Sequence, residues 1–179
     1  AEPEPPSEPV GCAVVAVATG GGIQRLLRSL GTHRIVAGGQ SMNPSTAQLL
    51  EAVEDAPSDE VVILPNNKNI IPVAEQVGAL ASRPVAVVRT RGVSEGVAAL
   101  VCYDPQASAE GNADGMGEAA GAVVAGEVTQ AVRESACDVG PIRAGDWLGI
   151  SRDGIRSVEG DLSDAVTGLL DALLTEEHE

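Results

Sequence analysis

The chain has 179 residues and a formal net charge of −15, from 26 acidic and 11 basic residues, and 44% of its residues are hydrophobic. This excess of carboxylates disfavours nucleic-acid binding, which needs a basic face against the phosphates, and adhesion to anionic membranes. Because Phe is absent, with one Trp and one Tyr, the core must consist of small aliphatic side chains, as in a parallel sheet between helices.

The first ten residues are acidic and rich in proline, which predicts a disordered linker. We therefore interpret the chain as a piece of a longer protein that begins between two domains. Residues 11–175 have the length of one α/β domain. Within it we expect βα units in residues 11–105, followed by a helix, a β-meander and a terminal helix in residues 106–175.

The cysteines indicate a reducing compartment. Cys12, Cys102 and Cys137 are widely spaced and form no Cys-x-x-Cys motif. Such a set is typical of reduced thiols in a cytoplasmic protein, and not of a disulfide framework or a zinc site. The longest apolar run, residues 12–18, is too short to cross a bilayer. We expect a cytoplasmic chain with no metal site and no membrane insertion.

Four strand-then-helix units follow the linker, since each apolar run precedes a stretch with apolar residues at helical spacing. Strands are predicted at residues 12–18, 33–37, 61–64 and 84–88. The predicted N-caps of the second, third and fourth helices are Asn43, Asn69 and Ser94. Strands that alternate with helices of about ten residues predict a mostly parallel sheet flanked by helices.

The second half is predicted to be less regular. Residues 106–121 favour a helix, although each interior glycine costs about 1 kcal/mol relative to alanine. Short strands are expected at residues 128–134, on either side of Gly145, and at 155–158 after an Asp-Gly hairpin turn. Asp161 and Asp164 resemble a capping pair before an amphipathic helix. The predicted fold class is therefore α/β, with a small antiparallel β-meander and a C-terminal helix after the βα units.

Three glycines after the first strand, Gly20 to Gly22, can cradle an anion on backbone N–H groups at a helix start. Their spacing differs from the dinucleotide fingerprint, and the second strand ends without an acidic residue. A Walker phosphate loop is excluded because no Gly-Lys-Ser/Thr occurs. The alternative interpretation is that the glycines simply permit a tight turn.

Two polar turns, residues 38–46 and 64–69, follow the second and third strands, and the second turn contains the one lysine of the chain. Open α/β sheets bind ligands at the carboxyl ends of their strands. Amides, hydroxyls and a cation there suit a phosphate, a carboxylate or a partner's backbone. The alternative is a solvated loop in which asparagines satisfy the turn backbone and the lysine faces water. The predicted partner- or anion-binding residues are Gly20, Gly21, Gly22, Gln40, Ser41, Asn43, Ser45, Thr46, Asn66, Asn67, Lys68 and Asn69.

No complete catalytic machinery is visible in the sequence. Neither His33 nor His178 has the surroundings of a general base, and there is no Gly-x-Ser-x-Gly nucleophile elbow. Glu95 and Asp104 are the best-placed carboxylates, but alone they suggest no mechanism. Trp147 is interpreted as a packing residue, with anchoring of an interface as the alternative. We therefore assign no catalytic residue.

The two polar turns resemble those of a known family. They read Gly-Gly-Gln-Ser-Met-Asn-Pro-Ser-Thr at residues 38–46 and Leu-Pro-Asn-Asn-Lys-Asn-Ile at 64–70. Further matches lie at residues 96–100, 128–133 and 145–150. Over about residues 11–174 the sequence is similar to the C-terminal domain of the bacterial fatty-acid kinase A subunit, of the dihydroxyacetone-kinase-related family. One departure is Ser94-Glu95, where family members usually have Pro-Gln.

This resemblance implies a DegV-like fold and a place in a multidomain kinase. ATP and Mg are expected at another domain of the full-length kinase, and no cofactor in this chain. The implied role is to dock the fatty-acid-carrying B subunit, so that the distant ATP site phosphorylates the acyl carboxylate for phospholipid synthesis. A homodimer is left open as a further partnership.

Two other functions compete with docking. The same turns could serve an autonomous enzyme that binds a small ligand or phosphoester, with the three glycines as its anion cradle. An independent lipid carrier fits less well, because a chain without Phe has few bulky side chains to line an acyl tunnel.

Overall fold

A computed structural model describes residues 10–39 and 43–174. The predicted linker therefore lies outside the described residues except for Val10, and so do Gln40, Ser41 and His178. The chain divides into two compact units, and the boundary between them in the sequence lies between Val123 and Val124.

The first unit contains a four-stranded parallel sheet in the order β2-β1-β3-β4. Each predicted strand agrees with an observed one to within one residue at either end. Because β1 pairs with both β2 and β3, the chain reverses its direction of winding between β1 and β3. This creates a topological switch point, where open sheets leave a crevice. The strands are β1 (Cys12–Ala18), β2 (Arg34–Ala37), β3 (Glu60–Leu64) and β4 (Val85–Val87).

In the described residues of the first unit, five helices cover the two faces of this sheet. They are α1 (Gly21–Ser29), α2 (Thr46–Glu54), α3 (Ile71–Leu80), α4 (Val93–Val101) and α5 (Ala109–Gly121). Alternate residues of β1 point to opposite faces, and all seven are buried. One face packs on Leu27 of α1, Leu100 of α4 and Met116 of α5, and the other on Leu49 of α2 and Val77 of α3. Burial on both sides explains the unbroken apolar runs.

The caps predicted for the second, third and fourth helices were wrong. Ser45 caps α2 in place of Asn43: its Oγ accepts from the N–H of Gln48 at 3.2 Å, and Gln48 Oε1 accepts from the N–H of Ser45 at 2.9 Å. This reciprocal capping box satisfies two backbone N–H donors. Asn43 lies two residues before Ser45 and is not the N-cap residue of α2. The helices α3 and α4 begin after Ile70 and Gly92 without a side-chain cap. Asn69 and Ser94 therefore do not cap them.

The second unit is antiparallel, with a three-stranded sheet β5-β8-β9, a two-stranded sheet β6-β7 and helix α6. The Asp-Gly turn joins β8 to β9, where Gly154 has φ +127°. The segments on either side of Gly145 do not pair with each other, because β7 pairs with β6 and β8 with β5 and β9. The elements are β5 (Gly126–Gln130), β6 (Ser135–Cys137), β7 (Gly140–Ile142), β8 (Trp147–Ser151), β9 (Gly154–Glu159) and α6 (Leu162–Leu173).

Helix α6 packs on the three-stranded sheet through Ala165 and Leu169. Asp161 caps it by accepting from the N–H of Ser163 at 2.8 Å, so this predicted cap is confirmed. The α/β fold class, with a parallel sheet, then antiparallel strands and a terminal helix, is likewise confirmed. Among the helices formed by the described residues, none combines the length and apolar character that a bilayer crossing requires.

Candidate functional site

The described residues of the predicted site lie at one edge of the parallel sheet, which we call the carboxyl edge because all four strands end there. The three glycines follow β1, Asn43 to Thr46 follow β2, and Asn66 to Asn69 follow β3. Because β1 and β3 are neighbours, the first and third of these segments flank the switch point. Gln40 and Ser41 lie outside the described residues. The fold thus brings together segments that are far apart in the sequence.

Asn66 is held by several contacts at this edge. Its backbone N–H donates to Thr90 Oγ1 at 3.0 Å, and its side-chain Nδ2 donates to the carbonyl of Val17 at 3.1 Å. These two bonds join the ends of β1 and β3 to the connection after β4. Its φ of 53° lies in the left-handed region, which asparagine tolerates better than most residues. Asn66 is only 8% exposed, so its amide serves the fold and is not presented to solvent.

The other side of Asn66 packs against helix α4. Its buried Oδ1 has no hydrogen-bond partner among the described residues and lies against Gly96, where an added Cβ would overlap it. Thr90 and Gly96 complete this arrangement, although neither was among the predicted site residues. The signal for this contact in the sequence was Gly96, since a glycine inside a helical pattern often marks the close approach of another group.

Asn67 closes the same turn. Its Oδ1 accepts from the N–H of Asn69 at 2.8 Å, in the manner of an Asx-turn, and its side chain is nearly buried. The two asparagines Asn66 and Asn67 therefore satisfy backbone groups, as the alternative interpretation of this turn held. Lys68 and Asn69 are exposed. The turn is a braced support that presents these two side chains to solvent.

The glycines after β1 begin a helix that has no side-chain cap. Gly20 is the N-cap residue of α1 with φ +82°, so the tight turn requires glycine there. No acidic residue stands in the first turn of α1. Gln24 donates from Nε2 to the carbonyl of Ala18 at 3.2 Å, which fastens the helix to the end of β1.

The residues after β2 are mostly engaged within the protein. Ser45 belongs to the capping box, and Thr46 Oγ1 donates to Gln76 Oε1 of α3 at 3.4 Å. Asn43 is exposed. Ser45 is exposed as well, but its hydroxyl is engaged in the capping box.

Three cations stand on the connections after β3 and β4: Lys68, Arg89 and Arg91, all exposed. We call these three residues the cationic edge. Arg89 pairs with Glu75 of α3 at 3.1 Å. The backbone N–H of Arg91 donates to Glu95 Oε2 at 2.7 Å. The carboxylate of Glu95 is buried in the first turn of α4, where the helix dipole favours a negative charge.

The groups with shifted pKa values lie near the opposite edge, where the strands begin. Burial raises the pKa of the Cys12 thiol to about 11, and burial also raises the pKa of the Tyr103 hydroxyl, which donates to the carbonyl of Cys12 at 2.6 Å. The Nδ1 of His33 accepts from the N–H of Val14 at 3.1 Å. Burial, followed by the nearby Arg34, lowers the pKa of His33. These residues form a neutral, packed cluster and not a reactive one.

Because His33 is buried, we expect the protein to lose folding stability in acid. Its pKa in the folded state is below that of the unfolded chain, so its contribution is complete above pH 6.5 and is lost as the pH falls toward the folded-state pKa. The slope from this group is at most about 1.4 kcal/mol per pH unit. We expect the unfolding midpoint of the wild type to fall more steeply between pH 7 and pH 5.5 than that of His33→Gln. Equal slopes in urea titrations of the two proteins would contradict this.

Other candidate sites in the described residues do not join the carboxyl edge. Asp104 lies near the opposite edge, where its backbone N–H donates to Asn112 Oδ1 at 2.9 Å. A cavity of about 290 Å³ near that edge includes Glu60, whose carboxylate accepts from the N–H of Ala109 at 2.6 Å. Within residues 10–39 and 43–174, no three His, Cys, Asp or Glu side chains are grouped to hold a metal ion.

Comparison with known proteins gives consistent matches. Residues 13–179 match the family of C-terminal domains from proteins like the fatty acid kinase A subunit. An uncharacterized protein of Staphylococcus haemolyticus is 38% identical over 173 residues, which cover 97% of this chain and 31% of that protein. Uncharacterized proteins of Staphylococcus epidermidis and Staphylococcus aureus are 36% and 34% identical, covering 97% and 98% of this chain and 31% and 32% of their own lengths. The chain spans about a third of the length of these relatives.

Proposed function

Because this chain belongs to the family of C-terminal domains like that of the fatty acid kinase A subunit, we propose that it is the docking domain of a multidomain fatty-acid kinase. In this role it binds the fatty-acid-carrying B subunit in the cytoplasm. An ATP- and Mg-binding domain elsewhere in the kinase then phosphorylates the acyl carboxylate, and the acyl phosphate enters phospholipid synthesis. About two thirds of the length of the relatives lies outside the matched region, which leaves room for such a domain in proteins of that kind.

The observation that carries the proposal is the braced turn after β3. Asn66 and Asn67 hold its backbone through contacts with Val17, Thr90 and Asn69. A rigid backbone that presents exposed polar side chains binds a protein surface with little loss of conformational entropy. The turn therefore has the properties of a preorganised contact surface.

The polar groups of this edge also fit a docking surface better than a catalytic site. Asn66, Asn67 and Ser45 are engaged in bonds to backbone atoms. Among the described residues of the carboxyl edge, no nucleophile stands beside a general base. An autonomous hydrolase that forms a covalent intermediate at this edge would need both.

We expect the isolated chain to form a complex with the fatty-acid-loaded B subunit of the same organism. Lys68→Ala should weaken it about threefold to tenfold, as expected for the loss of one exposed charged contact. Asn67→Ala should also weaken it, because the turn that positions Lys68 loses its Asx bond. Isothermal titration calorimetry measures both effects.

The matched control is Gln106→Ala, which removes an exposed polar side chain near the opposite edge and should leave the affinity unchanged. If the wild-type chain shows no association with the loaded B subunit, the docking function is wrong. Sedimentation of the chain alone, measured beside these titrations, tests the homodimer.

A further inference from the structure

Charge is distributed unevenly over the first unit, although the whole chain is strongly acidic. The described connections at the carboxyl edge contain three cations, which form the cationic edge, and no carboxylate. The connections at the opposite edge contain the reverse, namely three carboxylates and one cation: Asp55, Asp59, Asp104 and Arg83. In a chain with a net charge of −15, the carboxyl edge is therefore a local exception.

Two carboxylates, those of Glu75 and Glu95, lie beside this edge and leave its three cations with a formal excess of one positive charge. The pair between Arg89 and Glu75 is exposed at both side chains, 72% and 46%, so Arg89 can exchange Glu75 for a partner's carboxylate at a cost of only about 0–1 kcal/mol. The carboxylate of Glu95 is turned inward to the backbone of Arg91. In the described part of the chain, the side chains of Lys68 and Arg91 form no ion pair.

The backbones that carry these cations are close together and held in place. The strands β3 and β4 pair directly, with Ile63 opposite Val87, so the connections that follow them are neighbours. Asn67 braces the turn at Lys68, and Thr90, between the two arginines, is completely buried. The three positive charges therefore form one patch and not three independent side chains.

We propose that the cationic edge binds an acidic surface of the partner protein, and that electrostatic attraction sets the orientation of docking. This inference rests on the proposed docking function and adds the chemistry of the partner's face. The overall negative charge of the chain repels an acidic partner. A local positive patch therefore favours the one orientation in which the partner's acidic surface faces the cationic edge. It also raises the association rate.

A protein surface fits this edge better than a small anion. An anion site needs donors that converge on one point, such as amide N–H groups. Here the buried Asn66 Nδ2 donates to the carbonyl of Val17, and the backbone N–H of Asn69 donates to Asn67 Oδ1, so both donors are directed within the protein. The exposed groups are long cationic side chains, which can follow the contour of a partner.

The test measures the affinity for the fatty-acid-loaded B subunit in 50, 150 and 500 mM NaCl. The wild-type affinity should fall steadily as salt rises, because salt screens exposed charges. The variant Lys68→Gln/Arg91→Gln should bind about tenfold more weakly at 50 mM and show a flatter salt dependence. The matched control Gln106→Glu/Ala79→Glu lowers the net charge equally but away from this edge, and its affinity should stay within about twofold of the wild type.

The outcomes separate the two proposals. If the wild type binds but salt and the double Gln variant have no effect, the cationic edge is wrong and docking stands. The same conclusion follows if the control variant weakens binding as much as the double Gln variant, or if phosphate at constant ionic strength displaces the partner. If the wild type does not bind even in 50 mM NaCl, both proposals are wrong. Circular dichroism melts check that every variant is folded.

Discussion

Replacing Gly96 by alanine is expected to destabilise the first unit by about 2–4 kcal/mol. The new Cβ would overlap Asn66 Oδ1 and lie 2.8 Å from Asn66 Cγ. Asn66 cannot move away cheaply, since its amide bonds to the carbonyl of Val17 and its backbone bonds to Thr90. The substitution therefore breaks a buried hydrogen bond or shifts α4. Urea unfolding followed by the helical circular dichroism signal measures the loss.

The control for this prediction is Gly115→Ala, in α5. Apart from Gly115, its chain neighbours and the adjacent backbone of α5, no heavy atom of the described residues lies within 4 Å of the Cβ that this change would add. Alanine there should raise the stability by about 0.5–1 kcal/mol, because it favours the helix over the unfolded chain. If Gly96→Ala is equally neutral or stabilising, the contact between Asn66 and α4 is absent in solution. Gly96→Ala should also weaken B-subunit docking, since it disturbs the turn that carries Lys68.

Replacing Leu49 by alanine is expected to cost about 2–5 kcal/mol. Leu49 is completely buried in α2 and packs with Val53 and the side chains of one face of the sheet. Alanine leaves a cavity that a close-packed core between a sheet and helices fills only in part. Chemical unfolding should show a lower midpoint with little change in the slope of the transition.

Leu80 provides the comparison, because it is also a helical leucine of the first unit but is 64% exposed. Its replacement by alanine should change the stability by no more than about 0.5 kcal/mol. Losses of similar size in the two variants would show that the assignment of the core is wrong. The Leu49 and Leu80 variants measure the contribution of core packing to stability, whereas Gly96→Ala and its control Gly115→Ala measure the contribution of the contacts that hold the carboxyl edge.

The two proposals assign different tasks to neighbouring residues. Asn66, Asn67 and Thr90 shape the edge from within, whereas Lys68 and Arg91 project from it. Substitution of an inner residue should therefore lower both stability and affinity. Substitution of an outer one should lower affinity alone. Measuring stability together with affinity therefore distinguishes a variant with a misfolded turn from a variant that has lost only a contact with the partner.

The order and position of the main elements of the first unit follow from the amino-acid sequence alone. The strands were predicted to within one residue because the central strands β1 and β3 are buried on both faces, and the half-buried β2 and β4 are likewise short apolar runs between polar turns. The sequence also placed the polar turns at the strand ends, since that follows from strand order alone. Helix caps were harder: Asn43, Asn69 and Ser94 have suitable side chains, but the observed helices begin elsewhere.

Which polar residues of these turns face inward and which face solvent depends on contacts between distant parts of the chain. Asn66 bonds to Val17, 49 residues earlier, and to Thr90, 24 residues later. Such contacts depend on the pairing of β1 with β3 and of β3 with β4, and no local pattern encodes them. The gathering of Lys68, Arg89 and Arg91 at one edge has the same origin. Parallel pairing places the ends of β3 and β4 side by side, so it brings Lys68 next to the connection that carries Arg89 and Arg91, about twenty residues later in the sequence.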